Sequence, residues 1–293
     1  MKPPPFAYQA AENVEQVVQL LAEYGNEARL LAGGQSLIAW LNFRRLNPAV
    51  IVDLNPVESL DYVRAVGDEI LIGAMTRQRT LEFDALIEAH VPLMHAAVPF
   101  LAHPAIRNRG TIGGSLAYAD PAAEQPTVTT ALGGRYKLCS AKGERWVAAE
   151  DFFDRIYQPK IASDEIMVEI AVPKISGRSG WGFREVARRH GDRVMMGVAV
   201  MVALDADGIC REARLVYQNA AEKPLLASGA ASLLIGEKPT PELFSAAAEK
   251  AAQTEIDPME SIQASESYIR KLAKELTGRV LADAFERAAA RNE

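Results

Sequence analysis

The sequence predicts a chain of mixed helices and strands divided into two domains, and three observations carry that prediction. Its 293 residues exceed the roughly 100 to 200 residues usual for one domain, and 49% of them are apolar, enough for a sizeable core or two. Short apolar runs of strand character alternate with helical patterns along its length. The stretch Ile175-Ser176-Gly177-Arg178-Ser179-Gly180 concentrates glycine and serine between two strand-rich blocks, and the domain boundary is expected there.

Taken in order, residues 13–24 place Val14, Val17, Val18 and Leu21 at helical spacing, with Asn13 available as an N-cap and Gly25 as a stop. Residues 28–31 predict a short strand running into Gly33-Gly34. Residues 36–43 predict a short helix bearing Leu37, Trp40 and Leu41, and residues 49–54 a buried strand after Asn47-Pro48. This unit therefore reads strand, glycine turn, helix, strand. Residues 62–66 and 69–72 predict a hairpin about Gly67-Asp68, and residues 80–90 and 93–101 two helices with Pro92 between them. A second hairpin is expected from residues 135–140 and 145–148, and a strand over 165–172 that ends at Pro173. Beyond the linker, residues 183–188, 198–204 and 211–217 read as strands, the last two joined by Asp205-Ala206-Asp207-Gly208. Residues 224–235, 241–253 and 265–289 read as helices, the last with Ile269, Leu272, Leu276 and Val280 on one stripe.

Composition excludes several functions. The net charge of −6 supplies no basic field for a nucleic acid, and Lys and Arg are not clustered. Cys139 and Cys210 lie far apart without a CxxC spacing, which argues against a disulfide framework, a zinc site or an iron–sulfur cluster held by this chain alone. His90, His95, His103 and His190 form no paired-ligand motif, so no metal site is expected. The N-terminal Met1-Lys2-Pro3-Pro4-Pro5-Phe6 lacks the apolar core of a signal peptide, and no apolar run approaches the roughly 20 residues of a membrane span. A cytoplasmic setting is expected.

Two glycine-rich loops carry the chemistry. In Ala32-Gly33-Gly34-Gln35-Ser36 the glycine pair follows a strand and precedes a helix, so backbone N–H groups unobstructed by a Cβ can meet a phosphate, with the Ser36 hydroxyl as a further donor and cap. The second loop, Thr111-Ile112-Gly113-Gly114-Ser115, again offers amides and hydroxyls. Neither is a GxGxxG or a GxxxxGK[ST], which argues against a Rossmann or P-loop site. The residues by themselves give two phosphate-sized nests and leave the function open.

These loops and their flanks resemble the FAD-binding medium subunit of molybdenum-containing hydroxylases, the family of carbon monoxide dehydrogenase and bacterial xanthine dehydrogenase. The likeness runs through LLAGGQSL from Leu30, HPAIRNRGTIGGSLAYADPAAEQP from His103, DEIMVEIAVP from Asp164 and FREVARRHGDRVMMGVA from Phe183. The second of these, the longest, is the most specific. The resemblance implies an α+β fold: a two-lobed FAD-binding domain of the vanillyl-alcohol-oxidase type over residues 1–176, its lobes split near 55–60, then residues 180–288 as a three-stranded sheet with helices. It implies that Ala32 to Ser36 and Thr111 to Ser115 grip the pyrophosphate of FAD and that Asp120 and Glu124 bind near the adenosine. It implies further that Ile166 and Met167 approach the isoalloxazine, that Arg184 lies near the pyrimidine edge, and that Ile106 and Arg107 lie beside the flavin.

The implied function is an electron relay. A large partner subunit would carry the molybdenum cofactor, a small one the [2Fe-2S] clusters, the expected assembly being a heterotrimer or its dimer, and FAD on this chain would pass electrons to an external acceptor. No side chain here is expected to be catalytic for hydroxylation. The alternatives are a self-contained flavin oxidoreductase of the same fold, which would need its own proton donor, and a scaffolding subunit without FAD, which the intact glycines oppose. On the residues alone, Asp120 and Glu124 read equally as acidic charges of a helix starting at Pro121, Arg184, Arg188 and Arg189 as solvated charges, and Trp40, Trp146 and Trp181 as packing residues. Three positions depart from the family pattern: Gln35 and Tyr118 where histidine is frequent, and Arg193 where an aromatic residue often covers the flavin. Arg193 is expected to set a fixed cation near the ring and favour its anionic reduced form.

Overall fold

A computed structural model describes residues 2–260 and 262–291 of the chain. The first lobe is a three-stranded parallel sheet in the order β1-β3-β2, formed by β1 (Ala7–Ala10), β2 (Ala28–Leu31) and β3 (Val50–Asp53). Helix α1 (Val14–Tyr24) buries Val17, Val18 and Leu21 on this sheet, and Asn13 caps it by accepting from the Gln16 amide at 2.9 Å. Strand β3 is buried along its whole length, as its apolar run requires of a central parallel strand. The short helix α2 (Leu37–Asn42) follows the first glycine loop. Strand β1 was not expected: it is mostly exposed, carries no alternation, and is defined only by its pairing to β3.

The second lobe is a five-stranded antiparallel sheet, β4-β5-β10-β6-β7, built from β4 (Val63–Val66), β5 (Glu69–Gly73), β6 (Arg135–Ser140), β7 (Gly143–Ala148) and β10 (Ile166–Pro173). A separate small ribbon, β8 (Phe153–Arg155) with β9 (Gln158–Pro159), precedes the central strand. Strand β10 divides the two lobes: Ile166 and Val168 face the core of the first, whereas Met167, Ile170 and Val172 belong to the core of the second. A bulge between Met167 and Glu169 accompanies the change of register.

Between β5 and β6 the chain is helical. The single helix expected over residues 80–90 is two, α3 (Gln78–Phe83) and α4 (Ala85–His90), because Asp84 adopts an extended backbone and its carboxylate accepts from the amides of Leu86 and Ile87 at 2.9 and 3.1 Å. Then come α5 (Pro92–Ala97), α6 (Pro104–Arg107), α7 (Ile112–Tyr118) and α8 (Glu124–Ala131), with α9 (Ala149–Phe152) after β7.

The remaining chain forms a further sheet of three long antiparallel strands, β11 (Ser179–Val186), β12 (Met196–Leu204) and β13 (Cys210–Gln218), edged by the two-residue β14 (Leu225–Leu226). The helix expected over 224–235 shrinks to α10 (Ser228–Ser232), since Leu225 and Leu226 pair with β13 instead. Helix α11 (Pro241–Lys250) widens into a π turn over Ala251–Glu255, and α12 (Glu266–Ala290) closes the fold. Each face of this sheet serves a different core. Phe183, Ala199 and Val216 join the core of the second lobe, while Val198, Val200 and Tyr217 pack under α12.

Gly180, read from sequence as part of a linker, lies inside β11. A Cβ there would collide with the Ala284 carbonyl oxygen, and one at Gly182 would come within 2.7 Å of the Val280 carbonyl oxygen, so α12 crosses β11 with its backbone nearly against the strand. Gly180→Val is expected to destabilise the fold by about 3 kcal/mol, read as a lowered urea midpoint, because neither backbone can yield.

Candidate functional site

A cavity of about 610 Å³ opens between the lobes, within the roughly 300 to 1,000 Å³ of small-molecule and cofactor sites. Ala32, Gly33, Gly34, Gln35 and Ser36 line one wall, and Thr111, Gly113, Gly114 and Ser115 another. Ile106, Asp120, Glu124, Ile166 and Met167 line it too. Three expected positions stay outside. Ile112 points into the core with no solvent exposure. Arg107 is buried and spends its guanidinium on Glu82, at 2.9 and 3.1 Å, and on the Leu101 carbonyl at 3.0 Å. Arg184 projects from the α12 side of β11 and pairs with Asp283 at 2.8 Å.

The two loops differ in what they offer. In the first, Gly34 adopts φ +73°, a backbone that only glycine holds without strain, and the amides of Gly33, Gly34, Gln35 and Ser36 meet no acceptor among the described residues. Gln35 folds back to donate to the Gly33 carbonyl at 3.0 Å. Ser36 precedes α2 without capping it, and its hydroxyl has no partner among the described residues. In the second loop the amides are committed. Gly113 donates to the Ala74 carbonyl at 2.9 Å, Gly114 to the Thr111 hydroxyl at 3.1 Å and Ser115 to the Thr111 carbonyl at 3.1 Å. The expectation of exposed amides on both loops therefore holds for the first and is corrected for the second, whose donor is the Ser115 side chain.

The glycines also let the loops touch. A Cβ on Gly33 would collide with the Arg109 carbonyl oxygen and lie 2.6 Å from the Gly110 Cα. Arg77 ties the arrangement together, bonding the Arg109 carbonyl and the Asn55 side-chain oxygen, the latter at 2.7 Å. Asn55 in turn donates to the Ala32 carbonyl at 3.2 Å and to Asp53 at 2.5 Å. Neither Arg77 nor Asn55 stands in a motif, so sequence reading missed both.

At the acidic wall, Asp120 accepts the Ala122 amide at 2.9 Å and takes both Arg193 guanidinium nitrogens, at 2.7 and 3.0 Å. Arg193 is thus held as half of a bidentate ion pair, and the bare cation expected from its position is neutralised. Glu124 itself starts α8, so the helix expected from Pro121 begins later. Burial, reinforced by the Asp120 charge, pushes its carboxyl up to about 7.

Trp40 is more than the packing residue expected. It lines the cavity, donates from Nε1 to the Tyr118 hydroxyl at 2.7 Å, and makes with Tyr118 and Tyr157 a cluster whose closest ring centroids are 4.8 Å apart. Burial pushes the Tyr118 phenol up to about 12. Trp181 does pack, against the core of the second lobe and beneath Arg287, whereas Trp146 is exposed and its ring lies under Arg135. A further wall residue unseen in the sequence is Gln78. Its Nε2 donates to Gln125 at 3.1 Å, while its Oε1, shut off from solvent, has no partner. Leaving such an acceptor unpaired costs about 1 to 3 kcal/mol. Among the described residues no group of three or more His, Cys, Asp or Glu side chains could hold a metal ion, and no helix is long and apolar enough to cross a membrane.

Residues 4–175 match the family described as FAD binding domain in molybdopterin dehydrogenase, and residues 181–284 that described as CO dehydrogenase flavoprotein C-terminal domain. The chain is 38% identical to the 6-hydroxypseudooxynicotine dehydrogenase complex subunit alpha of Paenarthrobacter nicotinovorans, over 98% of this chain and 97% of the relative. It is 34% identical to the carbon monoxide dehydrogenase medium chain of Hydrogenophaga pseudoflava, over 99% of this chain and 100% of the relative. The solved carbon monoxide dehydrogenase from Hydrogenophaga pseudoflava lacking the Mo-pyranopterin moiety superposes with a TM-score of 0.95 at 34% identity, over 98% of this chain and 99% of that one.

Gly33→Ala is expected to lower stability by about 1 to 3 kcal/mol, because the loops can no longer abut. Gln35→Ala, at an exposed position, should change it by under about 0.5 kcal/mol. Thermal unfolding of the two variants separates packing from surface effects.

Proposed function

The chain belongs to the family of FAD-binding medium subunits of molybdenum hydroxylases, and from that membership we propose how its residues hold FAD and with whom it works. It is the FAD-carrying electron-transfer subunit of a multi-subunit oxidoreductase, taking electrons from iron–sulfur clusters of a partner and passing them to an external acceptor. When bound, FAD supplies a carrier that exchanges electrons singly or in pairs. The large molybdenum-cofactor subunit and the small iron–sulfur subunit join this chain in a heterotrimer or a dimer of heterotrimers, located in the cytoplasm. The first 176 residues form the FAD domain and residues 180–288 a second domain.

The observation that carries the assignment of the pocket is the run of four unpaired amides from Gly33 to Ser36 on a cavity wall. They bind the pyrophosphate oxygens, with the Ser36 and Ser115 hydroxyls as additional donors. Ile106, Ile166 and Met167 present apolar surface that excludes water from the rings. Asp120, fixed by Arg193, and Glu124 bound the remaining wall. None of these groups is needed as a nucleophile or general acid for hydroxylation, since that chemistry belongs to the molybdenum subunit.

Native purification followed by metal and flavin analysis tests the reading. Molybdenum, iron and FAD travelling with two further polypeptides support it, whereas a colourless chain that takes up no FAD, or one that alone reduces a small substrate, refutes it. Within the pocket, Ser115→Ala is expected to bind FAD about tenfold more weakly, the loss of about 1.4 kcal/mol that one hydrogen bond to a charged group represents. A fluorescence titration of the apoprotein reads this.

A further inference from the structure

Glu185, Gly197 and Gln218 stand side by side across three neighbouring strands: Glu185 pairs with Gly197 between β11 and β12, and Gly197 with Gln218 between β12 and β13. Their side chains share the sheet face that carries Phe183, Ala199 and Val216 into the core of the second lobe. Gly197 is what brings the outer two together. A Cβ there would collide with Gln218 Oε1, so the Gln218 side chain lies across the middle strand on the way to Glu185. The Gln218 amide donates to the Ala122 carbonyl at 2.8 Å, and Ala122 belongs to the Asp120–Glu124 segment that forms the acidic wall of the cavity.

Two oxygens in this arrangement are shut off from solvent and have no partner, Glu185 Oε2 and Gln218 Oε1. If Glu185 were ionised both would be acceptors and could not bond to each other, leaving two buried polar atoms unsatisfied. One proton removes both defects. We propose that Glu185 is a positioning residue held as a neutral carboxylic acid, whose Oε2–H donates to Gln218 Oε1 over Gly197 and so fixes the Gln218 amide that grips Ala122. The proton state of a side chain outside the cavity thereby sets the cavity's acidic wall.

The surroundings agree. Burial pushes the Glu185 carboxyl up to about 8, the Glu124 charge across the interface on α8 adds to this, and the neighbouring Gln218 side chain, pulling the other way, does not cancel it. Asp120, the next acid, is occupied by Arg193. On the opposite face of β11, Arg184 is paired with Asp283 of α12. Helix α5 also packs on β11, and its His95 meets the Glu82 carbonyl at 3.1 Å instead. Among the described residues no cation pairs with Glu185.

The sign follows from proton linkage. The folded chain binds this proton more tightly than the unfolded one, whose carboxyl titrates near 4.5; the contribution to stability is whole below that pH and is lost as pH rises to about 8. The effect on FAD, which rests on the reading above, appears where the folded protein loses the proton.

The test uses the full chain, wild type, Glu185→Gln and Glu124→Gln, from about pH 6 to pH 9.5, reading FAD dissociation by flavin fluorescence and thermal unfolding of the apoprotein. The glutamine mimics the neutral acid, with an N–H in place of the O–H. Wild type should lose about tenfold in FAD affinity across about pH 8, and its apoprotein should lose stability with rising pH up to that point. Glu185→Gln should flatten both profiles, and Glu124→Gln should keep a break. An unaltered break in Glu185→Gln, or its disappearance in Glu124→Gln alone, overturns the proposal. Infrared difference spectra of the wild type give a second reading that needs no variant to fold: a carboxylic C=O band bleaching near pH 8 is expected, and its absence overturns the assignment. If no FAD binds at any pH, the pocket reading fails while the unfolding profiles still judge Glu185.

Discussion

The contact on which the site depends is the abutment of its two glycine loops. Gly33 lies so close to the Arg109–Gly110 backbone that no side chain fits, and Gly113 stands equally close to Ala74. Close approach of main chain to main chain brings the second loop, β5 and the first loop into one rigid wall. It also divides labour between the loops. The second spends its amides on Ala74 and Thr111 to hold its place, whereas the four amides of the first, on a residue run that lines the cavity, meet no acceptor among the described residues. One loop is satisfied internally while its neighbour's amides are left without acceptors.

A second constraint is that the sheet of β11, β12 and β13 has two buried faces. Its strands carry apolar residues on both sides, one set entering the core of the second lobe and the other covered by α12. The last third of the chain is consequently no detachable appendage, because separating it would expose Phe183, Ala199 and Val216 along with the residues they cover. Polar groups caught in this seam must be satisfied from within it. Gln218 reaches Ala122, and Arg214 reaches the Thr130 carbonyl at 3.0 Å and Glu150 at 2.7 Å. The seam thus links the sheet to the acidic side of the cavity through hydrogen bonds as well as packing.

Much of this was legible in the sequence. The helix capped by Asn13, the buried run of β3, the hairpins around Gly67 and Lys142 and the long strands beyond residue 178 all follow from periodicity and turn chemistry, which act locally. The glycine loops and their flanks identified the family and the group bound. What local patterns could not disclose is equally specific. Strand β1 exists only through its pairing with β3, and the break at Asp84 comes from a cap that competes with helix continuation. Gln78 reaches the cavity, and Asn55 and Arg77 brace its loops from outside it, all from elements without a motif, and Trp40 faces a cavity that its helix alone does not define.

The sequence by itself determined the α+β alternation, the two glycine turns and the family, because each is written in residues near one another along the chain. Only the tertiary structure decided which amides remain free, that Arg193 is paired with Asp120 instead of standing as a bare cation, and that Arg184 faces α12. Those properties depend on partners brought together from 22 to 99 positions away, as with Arg77 and Asn55 or Arg184 and Asp283. Hydrogen-bond satisfaction and charge pairing are properties of the space around a group, and that space exists only once the chain has folded.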